Sequence, residues 1–384
     1  MPSRRILSDT RKHLPFSERL HHFTWSWFEC TMSTGAIATV LGQQPFGFDG
    51  LKTIGKIFFI LDLVLFFTFC ACITYRFVRT PPGTLRTSLH HPEESFFFGT
   101  FWQYGVPSSG PWLIKALEVL FWTYAGCAIL VAVFQYHVIF DTRKLPVTDA
   151  LPAWILPVYP FLVLGPLSAV LEYSQPPDAA LPIMIGGICF EGLGWGVALI
   201  MYTIYVTRLI NSDLPEPSKR PAMYVAVGPA AYTANTLVAL GMQAPKVIPP
   251  NFLGIGSFPV GEVWKAIGVP CGIFLWLLAF WFCALSTVSV LNSWKEMHFT
   301  LNWWAFIFPN VGLTIALIQI ANVLDSDGIK GVCSAMTVIL VTLWIFVAIM
   351  NVRAVWRGDI LWPGMDEDME EEGEHEDDEE QRTE

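Results

Sequence analysis

The chain has 384 residues, of which 53% are hydrophobic and only 15% charged, with 16 Trp and 29 Phe. Soluble domains carry about 25% charge, so this composition excludes a soluble enzyme or nucleic-acid binder and indicates a multi-pass membrane protein. The formal charge of −10 is local: Met365–Glu384 holds thirteen Asp/Glu and one Arg, and the rest carries 20 acids against 22 bases.

In chain order, residues 1–21 form a basic segment with Arg4, Arg5, Arg11, Lys12 and Arg19. It lacks the apolar core of a signal peptide and reads as cytosolic. Nine stretches then reach the roughly 20 apolar residues that a crossing helix needs. They are Phe23–Gln43, Ile54–Phe77, Trp112–Phe140, Leu151–Leu171, Leu181–Ile210, Ala222–Gln243, Val263–Trp294, Phe299–Leu324 and Ile329–Val352. The segment His22-Phe23-Thr24-Trp25-Ser26-Trp27-Phe28 opens the first and is echoed by His298-Phe299-Thr300-Leu301-Asn302-Trp303-Trp304. Such an echo predicts repeated helical hairpins. Residues 365–384 read as a solvated acidic tail.

Basic connections alternate with bare ones. Arg76, Arg79 and Arg86, then Arg143 and Lys144, then Arg208, Lys219 and Arg220, then Lys295, then Arg353 and Arg357 mark one side. The positive-inside rule places that side, and both termini, in the cytosol. The alternation demands a crossing between Arg86 and the Trp112 span, where Ser95–Gly110 alone is available. Its apolar part, Phe96–Val106, would reach about 16 Å against a core of about 30 Å. The repeat agrees. The odd spans begin near Phe23, Ser95, Leu151, Ala222 and Phe299, at intervals of 72, 56, 71 and 77. The unit beginning at Ser95 is about fifteen residues short, roughly four helical turns. The third span has therefore lost most of its middle.

Prolines fall inside odd spans, at Pro157, Pro160, Pro166, Pro229 and Pro309, where they predict kinks that expose backbone to a cavity. Thr31, Ser33, Thr34 and Gly35 form a small polar patch suited either to solvating an anion or to close helix packing. Asn310 and Thr314 are uncharged polar candidates in the Phe299 span. Glu29 is an acid on an odd span and a candidate for proton coupling. Asp62 and Glu191 lie on even spans, where structural pairing is expected. The doublets His21-His22 and His90-His91 lack further converging ligands. The eight Cys have no CxxC pair and read as small buried hydrophobes. No catalytic fingerprint sits in a matching context, so no enzyme activity, cofactor or metal is expected.

Several motifs in order resemble one family: the His22–Gly35 opening, His91-Pro92-Glu93-Glu94-Ser95-Phe96-Phe97, Val227-Gly228-Pro229, Asn302-Trp303-Trp304-Ala305-Phe306, and Trp356-Arg357-Gly358-Asp359-Ile360-Leu361-Trp362-Pro363-Gly364. It is the tellurite-resistance/dicarboxylate transporter family, which includes the plant slow anion channels. The branch it resembles is that of the fungal malic acid transport proteins. The resemblance covers residues 22–364, expected as one transmembrane domain between the basic and acidic ends. It implies an all-α protein of ten helices in five hairpins, ringed around a central pore. Odd helices line the pore, a Phe on the ninth plugs it, and three copies assemble. Phe308 is then the gate, with Thr31, Ser33, Thr34, Gly35, Pro160, Pro229, Pro309, Asn310 and Thr314 as candidate lining. The implied activity is transport of malate and related dicarboxylates across the plasma membrane. The alternatives are a sulfite or inorganic-anion pathway, and a non-transporting member disabled by its short third helix.

Overall fold

The computed structural model describes residues 16–79, 111–142 and 146–361. The stretch Ser95–Gly110, the acidic segment 365–384 and residues 1–15 lie outside them. Among the described residues the regular structure is entirely helical. Each of the nine expected spans holds a helix: α1 (Phe28–Gly42), α2 (Leu51–Arg79), α3 (Pro111–Thr142), α4 (Tyr159–Leu171), α5 (Pro177–Asn211), α6 (Val227–Val247), α7 (Val260–Ser293), α8 (Phe308–Leu324) and α9 (Asp327–Arg357).

Two kinds of helix alternate after the long α2 and α3. Helices α1, α4, α6 and α8 are short, and each follows a 3-10 segment: Trp25–Trp27, Pro152–Val158, Pro217–Ala226 and Leu301–Phe306. With these segments, α4, α6 and α8 become apolar stretches of 20, 31 and 24 residues, long enough to cross a membrane. The 15 residues of α1 give only about 22 Å, and its 3-10 turn extends this to about 28 Å. The first span is thus a composite where the sequence predicts one continuous helix.

The 3-10 segments have a local cause. Each starts after an extended residue: Thr24, Leu151, Glu216 and Thr300. Pro152 and Pro217 open two of them, and Pro157 and Pro221 inside those two remove amide donors that an α-helix interior requires. The following prolines correct the sequence expectation of mid-span kinks. Pro160, Pro229 and Pro309 fall within the first three residues of α4, α6 and α8, where an absent N–H loses no helical bond. The break in each inner span is the change from 3-10 to α winding. Pro166 does lie inside α4.

The sequence echo is one local structure built twice. Trp27 N–H donates to the Thr24 carbonyl and Trp303 N–H to the Thr300 carbonyl, at 3.4 and 3.1 Å. The Phe23–Trp27 and Phe299–Trp303 ring pairs match at 5.2 and 5.4 Å.

Consecutive helices pack as hairpins: α1 with α2, α4 with α5, α6 with α7, and α8 with α9. The short helices then pack on one another in an arc, α4 on α6, α6 on α8, and α8 on α1. Burial separates the two sets. In the apolar stretches ending in α4, α6 and α8, 72%, 83% and 78% of residues are buried, against 17–39% in α2, α3, α5, α7 and α9. The long helices turn Val64, Phe67, Leu199, Phe274 and Ile349 outward, as helices facing hydrocarbon do. Gly261, Gly268 and Gly272 of α7, spaced seven and four apart, lie against the backbone of α6; a Cβ on Gly268 would meet the Leu237 carbonyl at 2.5 Å. Small residues of this kind let membrane helices approach closely.

Basic residues also close hairpins. In the last turn of α2, Arg76 Nη1 donates to the Phe23 carbonyl at 2.9 Å. In the last turn of α5, Arg208 Nε donates to the Thr148 carbonyl at 2.9 Å. Each ties an outer helix to the irregular segment that begins its own hairpin.

Candidate functional site

The four changes from 3-10 to α winding bring Phe28, Tyr159, Val227 and Phe308 to the first positions of the inner helices. Around them lies a cavity of only about 10 Å³, lined by Glu29, Met32, Leu156, Tyr159, Val225, Trp304, Ala305, Phe308 and Pro309. That is room for one water at most. Phe308, 6% exposed, packs against two tyrosines. Its ring centroid is 5.7 Å from Tyr159 and 5.3 Å from Tyr232, and the two tyrosines are 6.3 Å apart. These separations suit tilted and edge-on aromatic packing. Tyr232 donates its hydroxyl to the Phe308 carbonyl at 3.4 Å, and Tyr159 donates to the Val225 carbonyl at 2.8 Å. Gly312, one turn after Phe308, leaves room for the Tyr232 ring, which a Cβ there would meet at 3.0 Å.

Polar groups border this aromatic cluster. Glu29, 3% exposed, lies in the first turn of α1. The Trp304 indole N–H is buried without a hydrogen-bond partner, which leaves a donor among the lining residues. The starts of α1, α4, α6 and α8 add the positive ends of their helix dipoles.

Of the residues singled out from sequence, Glu29, Phe308 and Pro309 line this one cavity. The polar patch of α1 divides instead among its neighbours. Ser33 donates to the Trp304 carbonyl at 3.1 Å. Thr34 accepts from the Trp344 indole of α9 at 3.1 Å. Gly35 faces Asp62 of α2, and Thr31 caps the Phe28 carbonyl within its own helix. The Pro160 carbonyl accepts from Tyr124 of α3, and the Pro229 carbonyl from Thr233. Asn310 and Thr314 close turns of α8 through the carbonyls of Phe306 and Asn310. Sequence reasoning missed Tyr159 and Tyr232. For Tyr159 a signal was present: Tyr159-Pro160 repeats the aromatic-proline pair Phe308-Pro309 at the same point of its hairpin.

The even-span acids depart from the expected pairing. Among the described residues, neither Asp62 nor Glu191, 4% and 1% exposed, has a basic partner within ion-pair distance; ion pairs do form between Lys115 and Glu118 and between Lys330 and both Asp325 and Asp327. Asp62 presses on Gly35, where a Cβ would lie 2.7 Å from Oδ2. Glu191 accepts from Thr233 at 2.7 Å and Thr236 at 3.1 Å. Outside the spans, Lys330 donates to Asp325 at 2.6 Å and holds that carboxyl below the usual range. All eight cysteines are free thiols. Cys30 and Cys333 alone are fully buried, and the others lie partly or wholly on the helix surfaces, a correction to their expected burial. Among the described residues no three His, Cys, Asp or Glu converge as a metal site. A larger hollow of about 530 Å³ lies between the start of α3 and the α4–α5 turn, lined in part by Lys115, Glu118 and Gln175. It shares no residue with the aromatic cluster.

Residues 22–352 match the family described as voltage-dependent anion channel. The chain belongs to that family. The match runs from the first 3-10 turn through nearly all of α9, so the aromatic cluster lies wholly within it. Over 370 residues the chain is 35% identical to the malic acid transport protein of Schizosaccharomyces pombe, an alignment covering 93% of this chain and 84% of that one. It is 25% identical over 352 residues to the sulfite efflux pump SSU1 of Trichophyton rubrum, covering 87% and 91%. As a member of the anion channel family the chain is a transporter or channel, not an enzyme. Among the described residues, eight helical stretches are long and apolar enough to cross a membrane, which makes the chain multi-pass.

Proposed function

We propose that this chain carries small organic anions, foremost malate and related dicarboxylates, across the plasma membrane along a path bounded by α1, α4, α6 and α8. Phe308 is the gate of that path. The observation that carries the reading is the packing of Phe308 against Tyr159 and Tyr232 among the inner helices, in a chain of the anion channel family. Helix starts and the Trp304 N–H supply partial positive charge without a fixed cation, so an anion is solvated there without being trapped. Glu29 at the same cavity is the group that proton coupling would use. The higher identity to the malic acid transport protein than to the sulfite pump supports a dicarboxylate, and sulfite is the second reading. On this reading the remaining stave of a five-hairpin ring falls to Ser95–Gly110, which lies outside the described residues. The basic connections face the cytosol with both termini, and the assembly is a homotrimer.

The chain reconstituted in liposomes is expected to pass labelled malate above the protein-free background, weakly but faster than sulfite. Faster sulfite would favour the second reading, and no flux of either would mark a non-transporting member. Truncation after Gly364 is expected to leave insertion and this flux unchanged, since thirteen acids in twenty residues cannot bury a core. Loss of membrane insertion would contradict that.

A further inference from the structure

Glu191 sits in the wall of the inner arc although it belongs to an outer helix. From α5 it passes α4 at Gly165, where a Cβ would collide with both Glu191 Oε2 and Thr236 Oγ1, and ends on α6. There Thr233 Oγ1 lies 2.7 Å from Oε1 and 2.8 Å from the Pro229 carbonyl. Thr236 Oγ1 lies 3.1 Å from Oε2 and 2.9 Å from the Tyr232 carbonyl.

The hydrogens can be counted. Each threonine hydroxyl has one to give, yet the two face four acceptors: two carboxylate oxygens and two backbone carbonyls. An ionised Glu191 leaves two of those approaches without a hydrogen. A protonated Glu191 supplies a third hydrogen. Its O–H donates to Thr236, and Thr236 passes its own to the Tyr232 carbonyl. The Gly165 backbone N–H also acts on the carboxyl, and no basic side chain among the described residues lies within ion-pair distance of it. The elements packed on α5 are α3, α4, α6 and the segments 147–149 and 152–158, with Tyr202 of α5 also meeting Phe282 of α7 and the Ala226 carbonyl. Among their described residues, no charged group acts on Glu191, and Tyr232 of α6 is the titratable group that faces it. Burying an unpaired charge is costly.

We propose that Glu191 is a proton-binding site, held as the carboxylic acid in this closed form, and that release of its proton to water loosens the α4–α6 contact that seats the Phe308 plug. The connection is short. Thr236 bonds the carbonyl of Tyr232, and Tyr232 bonds the Phe308 carbonyl and packs on its ring. The link to flux rests on the anion-transport reading above, whereas the protonation does not.

Infrared spectroscopy of the purified full-length chain separates the two. At neutral pH the wild type is expected to show a carboxylic-acid C=O band with a component that Glu191→Gln removes. Spectra identical in that region would overturn the proton site. In liposomes, wild-type anion flux is expected to change with pH, and Glu191→Gln, which keeps the shape of the neutral acid, is expected to hold the low-pH rate throughout. A variant that retains the wild-type pH profile would overturn the coupling to the gate. Wild-type liposomes without anion flux at any pH would instead count against the transport reading and leave the infrared result standing. Should Glu191→Gln fail to assemble, Thr236→Val is the second variant: it removes the relay hydroxyl and is expected to shift the carboxylic-acid band and its titration. An unchanged band and titration in Thr236→Val would overturn the proposal.

Discussion

Restoring about fifteen mostly apolar residues after Phe101, about 22 Å of helix, is expected to turn weak, leaky anion flux into selective transport. The apolar run Phe96–Val106 covers about 16 Å, about half the hydrocarbon core. Its repeat interval is 56 where the others are 71 to 77. The alternation of basic connections requires a crossing at that point. The fold adds a comparison. The inner stretches ending in α4, α6 and α8 are 20 to 31 residues long, and even α1, the shortest with its 3-10 turn, reaches about 28 Å. A stave of 16 Å beside these leaves part of the wall to water, lipid or a displaced neighbour. Liposome flux of malate against an unrelated anion, with and without the insertion, checks this. Selective malate flux at full rate through the 384-residue chain would show that the third stave is not needed.

Replacing Phe308 with Ala is expected to raise anion flux about tenfold in the repaired chain. The ring packs on Tyr159 and Tyr232, and each such aromatic contact contributes roughly 1 kcal/mol. Losing both costs the closed form about 2 kcal/mol, and 1.4 kcal/mol already shifts a population tenfold. Ala also opens the cavity that the ring now fills. The helix start is preserved, because Pro309 and the Asn310 bond to the Phe306 carbonyl remain. Currents or fluxes compared at equal surface expression decide the matter. Unchanged values would remove Phe308 as the gate and shift attention to Tyr159.

Much of the architecture was legible in the sequence. All nine apolar stretches hold helices, and eight of them, counted with their 3-10 segments, are long and apolar enough to cross, because a bilayer requires every backbone amide to be satisfied within the segment and about 20 residues to cross. The echo between His22–Phe28 and His298–Trp304 corresponded to one repeated 3-10 turn, since the same Thr and aromatic spacing makes the same local bonds. The placement of Glu29 and Phe308 on inner helices was what the family resemblance implied.

Other features were decided by tertiary structure. In lipid both faces of a helix are apolar, so the periodicity that reports a buried face in water is absent. The sequence therefore marked Thr31–Gly35 as polar but not its direction; packing turned Thr34 to Trp344 and Gly35 to Asp62. Helix pairing likewise brought Tyr232 and Tyr159, 73 residues apart in the chain, onto one Phe. Glu191 is the clearest case. A lone acid in an apolar run fixes the need for partners, and only the approach of α4 and α6 at Gly165 determined that they would be two threonine hydroxyls rather than a cation.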